Sequence, residues 1–337
     1  MINTKPPTRK FSKMKKLILA AAVTASVLAP FAAQAQKVGL AMANQETFLA
    51  YMSDALLAQA KTVGASVQME NADNDVGRQL SQIQNFIAQK VDAIIINPVD
   101  TDATTKMTKM VGDAGIPLVY VNRRPVDFDK LPKNAAFVAS DEKVSGTLQT
   151  QEMCRLMKGK GNIVVLMGEL SNEAARTRTK DIEEVLATPE CSAIKILDKR
   201  EGKWQRTNGT DIVSNWITAG LKFDAIIANN DEMAIGAIQA LKANNKWNPG
   251  YLVAGIDATP DALASMKAGD LKVTVFQNAA GQGRGSLDAA IKLIKKQPVE
   301  RFVNIPFVAN ASMRPALDHT GVVLMDLPSV SRRGASP

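Results

Sequence analysis

From residue 37 onward, short β-branched runs alternate with longer stretches in which apolar residues recur every three or four positions. Residues 37–42, 66–71, 93–97, 117–122 and 136–139 read as strands. A second series follows at 162–167, 193–198, 225–229, 251–256 and 273–277. Between strands, residues 48–63 place Leu49, Met52, Leu56, Leu57 and Ala60 near the i, i+3, i+4 rhythm of a helix, and Gly64 suits its left-handed end. Residues 76–89, 101–114 and 172–187 carry the same rhythm. Strand and helix in alternation predict βαβ units and parallel sheets.

The two series echo one another. Asp92-Ala93-Ile94-Ile95-Ile96-Asn97 introduces a helix, and so does Asp224-Ala225-Ile226-Ile227-Ala228-Asn229. In each half a later strand ends in a polar residue, Asn122 or Asp257. This correspondence predicts an α/β protein of two similarly built lobes, each a doubly wound parallel sheet. The length agrees, because roughly 300 residues exceed one typical core.

The first 35 residues are read as targeting sequence. Lys10, Lys13, Lys15 and Lys16 precede an uncharged, mostly apolar stretch from Leu17 to Ala29, and Ala33-Gln34-Ala35 supplies a small-x-small site. A secretory signal peptide is expected at 1–35, cleaved before Gln36; Met14 is an alternative start. The apolar stretch is shorter than the roughly 20 residues that span a bilayer. The leader also accounts for most of the charge. The chain carries +8, residues 1–35 carry +6 with no acid, and +2 remains on the rest. Nothing in that balance calls for nucleic acid or a membrane surface as partner. In an oxidising compartment Cys154 and Cys191 form either one disulfide or two buried thiols. The single histidine, His319, reads as a surface residue, and neither metal nor cofactor is expected.

In open parallel sheets, ligands bind beyond the carboxyl ends of strands. The residues found there are Asn44 to Phe48, Asn122 to Pro125, Glu169 to Arg178, Trp204 to Arg206, Asn229 to Glu232, Asp257 to Pro260, and Gln277-Asn278. Arginine forks, carboxylates and amides suit vicinal hydroxyls, and Phe48 and Trp204 suit the C–H faces of a ring. This equipment holds a molecule; it offers no nucleophile with its base.

The block 229–237, Asn-Asn-Asp-Glu-Met-Ala-Ile-Gly-Ala, with 255–261, Gly-Ile-Asp-Ala-Thr-Pro-Asp, resembles the periplasmic ribose/inositol-binding proteins of ABC transporters, of the type I periplasmic binding protein superfamily. Residues 174–178 and Asn122-Arg123 agree in order and spacing, and the likeness covers about 37–310. The resemblance implies lobes 36–140 plus 278–304 and 141–277 plus 305–325, joined by three hinge crossings, with a disordered tail at 326–337. It implies a periplasmic monomer that binds its ligand in the cleft and meets an ABC permease, with a chemoreceptor as a second candidate partner. Carried over singly, Phe48 and Trp204 stack on the sugar, Arg123 and Arg176 bond its hydroxyls, and Asn230, Asp257 and Gln277 complete the polar contacts. Asn122 stands where the ribose binders have Asp, Glu46 where they have Asn, and Leu49 where they have a second aromatic. These departures move the expected ligand from ribose toward inositol or a related cyclitol, whose extra hydroxyls suit Glu46. A pentose or hexose is the alternative. Two rivals are a repressor-like ligand sensor, which needs a DNA-reading module ahead of residue 37, and a sugar-processing enzyme using Glu46 and Asp257.

Overall fold

The computed structural model describes residues 1–4, 35–248, 250–306 and 322–324. The expected leader, His319, the expected tail and most of the segment 305–325 lie outside the described residues.

The first half of the chain runs β1 (Lys37–Met42), α1 (Thr47–Val63), β2 (Ser66–Asn71), α2 (Val76–Ala88), β3 (Ala93–Ile96), α3 (Thr104–Asp113), β4 (Leu118–Val121) and β5 (Ala135–Ala139). The second half runs α4 (Glu142–Leu156), β6 (Lys160–Met167), α5 (Glu173–Leu186), β7 (Ala193–Glu201), α6 (Arg206–Thr218), β8 (Ala225–Ala228), α7 (Asp231–Ala243), β9 (Leu252–Asp257), α8 (Pro260–Lys267) and β10 (Val273–Phe276). Then come α9 (Ala279–Ile294), β11 (Phe302–Asn304) and β12 (Val322–Leu324).

Two six-stranded sheets result, ordered β11-β5-β4-β3-β1-β2 and β12-β10-β9-β8-β6-β7. All pairings are parallel. The orders are the same once β6 to β10 are laid on β1 to β5, as the sequence echo predicts. In each sheet the direction of winding reverses beside the first strand, between β1 and β3 or between β6 and β8. Crevices that accept ligands form at such a reversal.

The central strands are apolar at nearly every position because both faces are covered, whereas the edge strands β2 and β7 carry polar and charged residues. In β3, Ile95 packs with α1 and α9, while Ile94 and Ile96 pack with the residues of α2 and α3. In β6, Val164 and Leu166 face the α6–α7 layer and Ile163 and Val165 face α4 and α5. The Cys154–Cys191 disulfide closes the latter layer, tying α4 to the segment before β7. That resolves the open alternative in favour of the bridge.

The chain passes between sheets three times: from β5 to α4, from β10 to α9, and from β11 to β12. The short strands β11 and β12 were not expected from sequence. Three residues carry too little periodicity to register, and these strands exist through pairing with β5 and β10.

Candidate functional site

A cavity lies where the carboxyl ends of the two sheets face each other. The first lobe contributes Glu46, Phe48, Asn122 and Arg123; the second contributes Asn172, Ala174, Arg178, Trp204, Asn230 and Asp257. Glu142 and Gln277, at the first two crossings, complete the lining.

Glu46 caps α1. Its carboxylate accepts from the Phe48 and Leu49 N–H groups at 3.2 and 3.3 Å. Burial raises its pKa, opposed by the Arg123 charge and those two N–H bonds. Phe48 sits behind it at 5% exposure, serving the core and the cavity wall together. At the end of β4, Asn122 adopts a left-handed φ of 66° and donates from Nδ2 to Gln282 Oε1. Gln282 in turn donates to Ser140 Oγ, whose hydroxyl donates to the Ile305 carbonyl. One hydrogen-bonded chain therefore joins the cavity to the crossings. Arg123 is buried, and its Nη1 donates to the Pro98 and Val99 carbonyls at 2.9 and 3.1 Å. Its Nε is buried and has no partner among the described residues.

In the second lobe each nitrogen of the Arg178 guanidinium has a partner. It donates to Glu142 Oε2 at 2.7 Å, to the Asn229 carbonyl at 2.6 Å and to Gln277 Oε1 at 3.1 Å. Gln277 closes the triangle by donating to Glu142 Oε1. The Arg178 guanidinium also lies 5.5 Å from the centre of the Trp204 ring. Trp204 follows Lys203 in a left-handed turn, with φ of 66° and 52°. Its ring lies against Gly168, where a Cβ would come within 2.1 Å of Cζ2, so only glycine leaves room. Asn230 caps α7 through the Met233 N–H and fixes the turn by donating to the Trp204 carbonyl. The Trp204 Nε1–H is buried and has no partner among the described residues.

Asp257 ends β9 with φ of 129°, followed by Ala258 at 53°, both unusual for side-chain-bearing residues. That turn is held by buried Asp231, which accepts from Thr259 N–H at 2.9 Å and Thr274 Oγ1 at 2.7 Å. Burial pushes Asp231 up to about 6. Asp257 is raised well above the usual carboxylate range by burial, with Asp231 adding and Arg178 opposing. Strained backbone persists only where its surroundings over-determine it. Here three cavity residues, Asn122, Trp204 and Asp257, are held that way.

Eight of the nine residues expected from sequence meet around this cavity: Glu46, Phe48, Asn122, Arg123, Trp204, Asn230, Asp257 and Gln277. The exception is Arg176. It stands at the rim, donating to the Leu170 carbonyl and lying 3.5 Å from Asp102. Positions two apart on a helix face different ways, and Arg178 is the one turned inward. Glu142 and Asn172 were not singled out. Their signal was their place just beyond β5 and β6, where Asn172 caps α5 through the Ala174 N–H.

Two mirrored α/β lobes enclosing a polar, ring-lined cavity define a ligand-enclosing binding protein rather than a surface-docking one. Residues 38–298 match the family described as periplasmic binding protein domain, and the chain belongs to that family. Its fold is the type I periplasmic binding protein fold, and the family comprises solute-binding proteins of the periplasm. Among relatives, a protein of Rhizobium meliloti provisionally named a rhizopine-binding protein is 58% identical over 296 residues, covering 87% of this chain and 95% of its own. An ABC transporter solute binding protein from Bacillus halodurans, solved with bound myo-inositol, is 40% identical with a TM-score of 0.76, covering 80% of this chain and 92% of that one. The Caulobacter myo-inositol binding protein, bound to myo-inositol, is 25% identical with a TM-score of 0.75 over 80% of this chain and 90% of its own.

Proposed function

We propose that the protein captures a cyclic polyol between its lobes, with myo-inositol or a related cyclitol first and ribose or another monosaccharide second, and presents it to an ABC permease of the inner membrane. The observation that carries this reading is the pair of buried, unpartnered donors, Arg123 Nε and Trp204 Nε1, on opposite lobes of one cavity. Buried donors normally find partners, and ring hydroxyls would supply them. Asp257 offers the matching acceptor: none of the described residues donates to its carboxylate. The myo-inositol-bound relatives support the choice of ligand, and the provisional name of the 58% relative adds a rhizopine to the compounds to be tried.

The mechanism is hinge closure. The lobes, 36–140 plus 278–304 and 141–277 plus 305–325, rotate about the three crossings. A ligand that gains contacts from both lobes only when they meet raises the closed population by its differential affinity. Micromolar binding corresponds to about −8 kcal/mol. Three or four hydrogen bonds to charged groups, at about 1.5–3 kcal/mol each, together with stacking on the aromatic rings, supply the favourable side of that figure, against which ordering costs count. In this reading the protein catalyses nothing: Glu46 and Asp257 hold hydroxyls. It acts as a monomer after cleavage before Gln36, and a chemoreceptor is a second candidate partner.

A thermal-shift screen with myo-inositol, other cyclitols, a rhizopine, ribose, xylitol and hexoses tests the reading, because a ligand that binds only the native state raises Tm. Cyclitols are expected to give the largest shift. No shift with any of these compounds rejects it.

A further inference from the structure

We infer that Arg176 is a positioning residue that latches the two lobes together at the rim of the cleft and sets ligand affinity without touching ligand. This rests on the reading of the cavity as a binding site.

The contacts come from two loops that meet across the cleft. The Thr101 N–H and Oγ1–H both donate to the Ser171 carbonyl, at 3.1 and 2.9 Å. Arg176 secures that junction from the second lobe. Its Nη1 donates to the Leu170 carbonyl at 2.6 Å, which fixes the loop carrying Ser171. Its Nη2 donates to Thr101 Oγ1 at 3.4 Å and lies 3.5 Å from Asp102 of the first lobe. Thr101 is fully buried although it sits at the rim, so the junction is closed to water at its centre.

Both loops are continuous with the cavity wall. Pro98 and Val99, whose carbonyls hold Arg123, lie just before Thr101. Asn172, which lines the cavity, directly follows Ser171. Orienting Arg123 and Asn172 around a ligand therefore orders the two halves of the latch. Contacts that cross between lobes exist only in the closed form, so they raise the closed fraction. The apparent Kd is the intrinsic Kd divided by that fraction. The Arg176–Asp102 pair is half exposed, and such pairs contribute little. The hydrogen bonds around Thr101 carry most of the effect.

The test uses stopped-flow tryptophan fluorescence on the full chain with whichever of myo-inositol, ribose and xylitol the wild type binds. Arg176→Ala is expected to speed dissociation about three- to tenfold, as befits the loss of one or two hydrogen bonds, with association nearly unchanged. The ratio of affinities between two polyols stays as in wild type, and Arg176→Lys recovers part of the loss. Asp102→Ala, at an exposed position, gives a smaller change in the same direction. Combining Arg176→Ala with Thr101→Val gives less than the sum of the separate effects. Where the wild type binds, dissociation from Arg176→Ala at the wild-type rate overturns the latch alone. A changed polyol preference overturns it too, by showing that Arg176 touches ligand. Failure of the wild type to bind any compound of the thermal-shift panel removes the reading beneath it.

Discussion

Asn97, just beyond β3, accepts from the Ala43 N–H beyond β1; Asn229, just beyond β8, accepts from the Gly168 N–H beyond β6. The two lobes are thus pinned by the same bond at the same place, and each presents a buried arginine to the shared cavity. The arginines differ in what they have left to give. Each guanidinium nitrogen of Arg178 has a partner, in Glu142, Asn229 and Gln277. Arg123 is braced by two carbonyls through one nitrogen and keeps a buried Nε–H unpaired. Around the cavity, the second lobe and the crossings hence form a frame in which Arg178, Glu142 and Gln277 bond one another, while Trp204 Nε1, Asn229 Nδ2 and the Asp257 carboxylate have no partner among the described residues. The first lobe brings the free donor to that frame. Equivalent topology has not produced equivalent roles, because the role is set by the remaining valences of each group.

Exchanging each arginine for an apolar residue of similar length would break or sharpen this contrast most. Arg178→Met leaves Glu142 buried and uncompensated, and breaking such a pair costs about 3–5 kcal/mol. Arg123→Met leaves two carbonyls short of a donor, a cost of about 1–3 kcal/mol, while polyol binding is lost. Urea melts of both variants check the order. Equal destabilisation would show that the two arginines are both framing residues.

The disulfide makes the second asymmetry, since both cysteines of the chain lie in the second lobe, 37 residues apart. By loop-closure entropy, Cys154→Ala with Cys191→Ala lowers stability by about 3–4 kcal/mol. Hydrogen exchange locates the loss, expected in α4, α5 and β7 and not in β1 to β4. Uniform loss across both lobes would mean that they unfold as one unit.

A smaller effect concerns Asp181, which packs on α4 at Gly146 and has a buried, unpartnered Oδ2. Burial, with Glu184 and Glu142 adding, pushes it up to about 7. A carboxyl with a raised folded-state pKa is favoured when protonated. Its contribution is complete below the unfolded value of about 4 and is lost as pH rises through about 7. Asp181→Asn cannot ionise, so its advantage in Tm over the wild type grows between pH 5 and pH 8. A constant difference would place the ionised carboxylate in contact with water.

Most of the fold is legible from sequence because both faces of each sheet are buried, which makes the strands read as continuous apolar runs. β1 and β2 fall where the pattern puts them, and β7 extends to Glu201 through charged residues on an edge strand. The site is legible where function coincides with strand ends, as at Asn122 and Asp257. Rotation about a helix is less so. Resemblance aligned Arg176 with the ligand, but side-chain direction on α5 turns Arg178 toward the cavity and leaves Arg176 at the rim. The left-handed turns at Asn122, Trp204 and Asp257 carry no glycine, so composition gives no sign of them. They arise from tertiary bonds, such as those from Asn230 and Asp231, that only the folded chain supplies.

The central claim is that one ligand draws on both lobes at once. Calorimetric titration of myo-inositol into wild type, Arg123→Met and Asp257→Ala tests it most directly. The account predicts one site per chain in the wild type, affinity about tenfold to a hundredfold weaker in Asp257→Ala, and no measurable binding in Arg123→Met, with both variants folded. Wild-type affinity in either variant would contradict it.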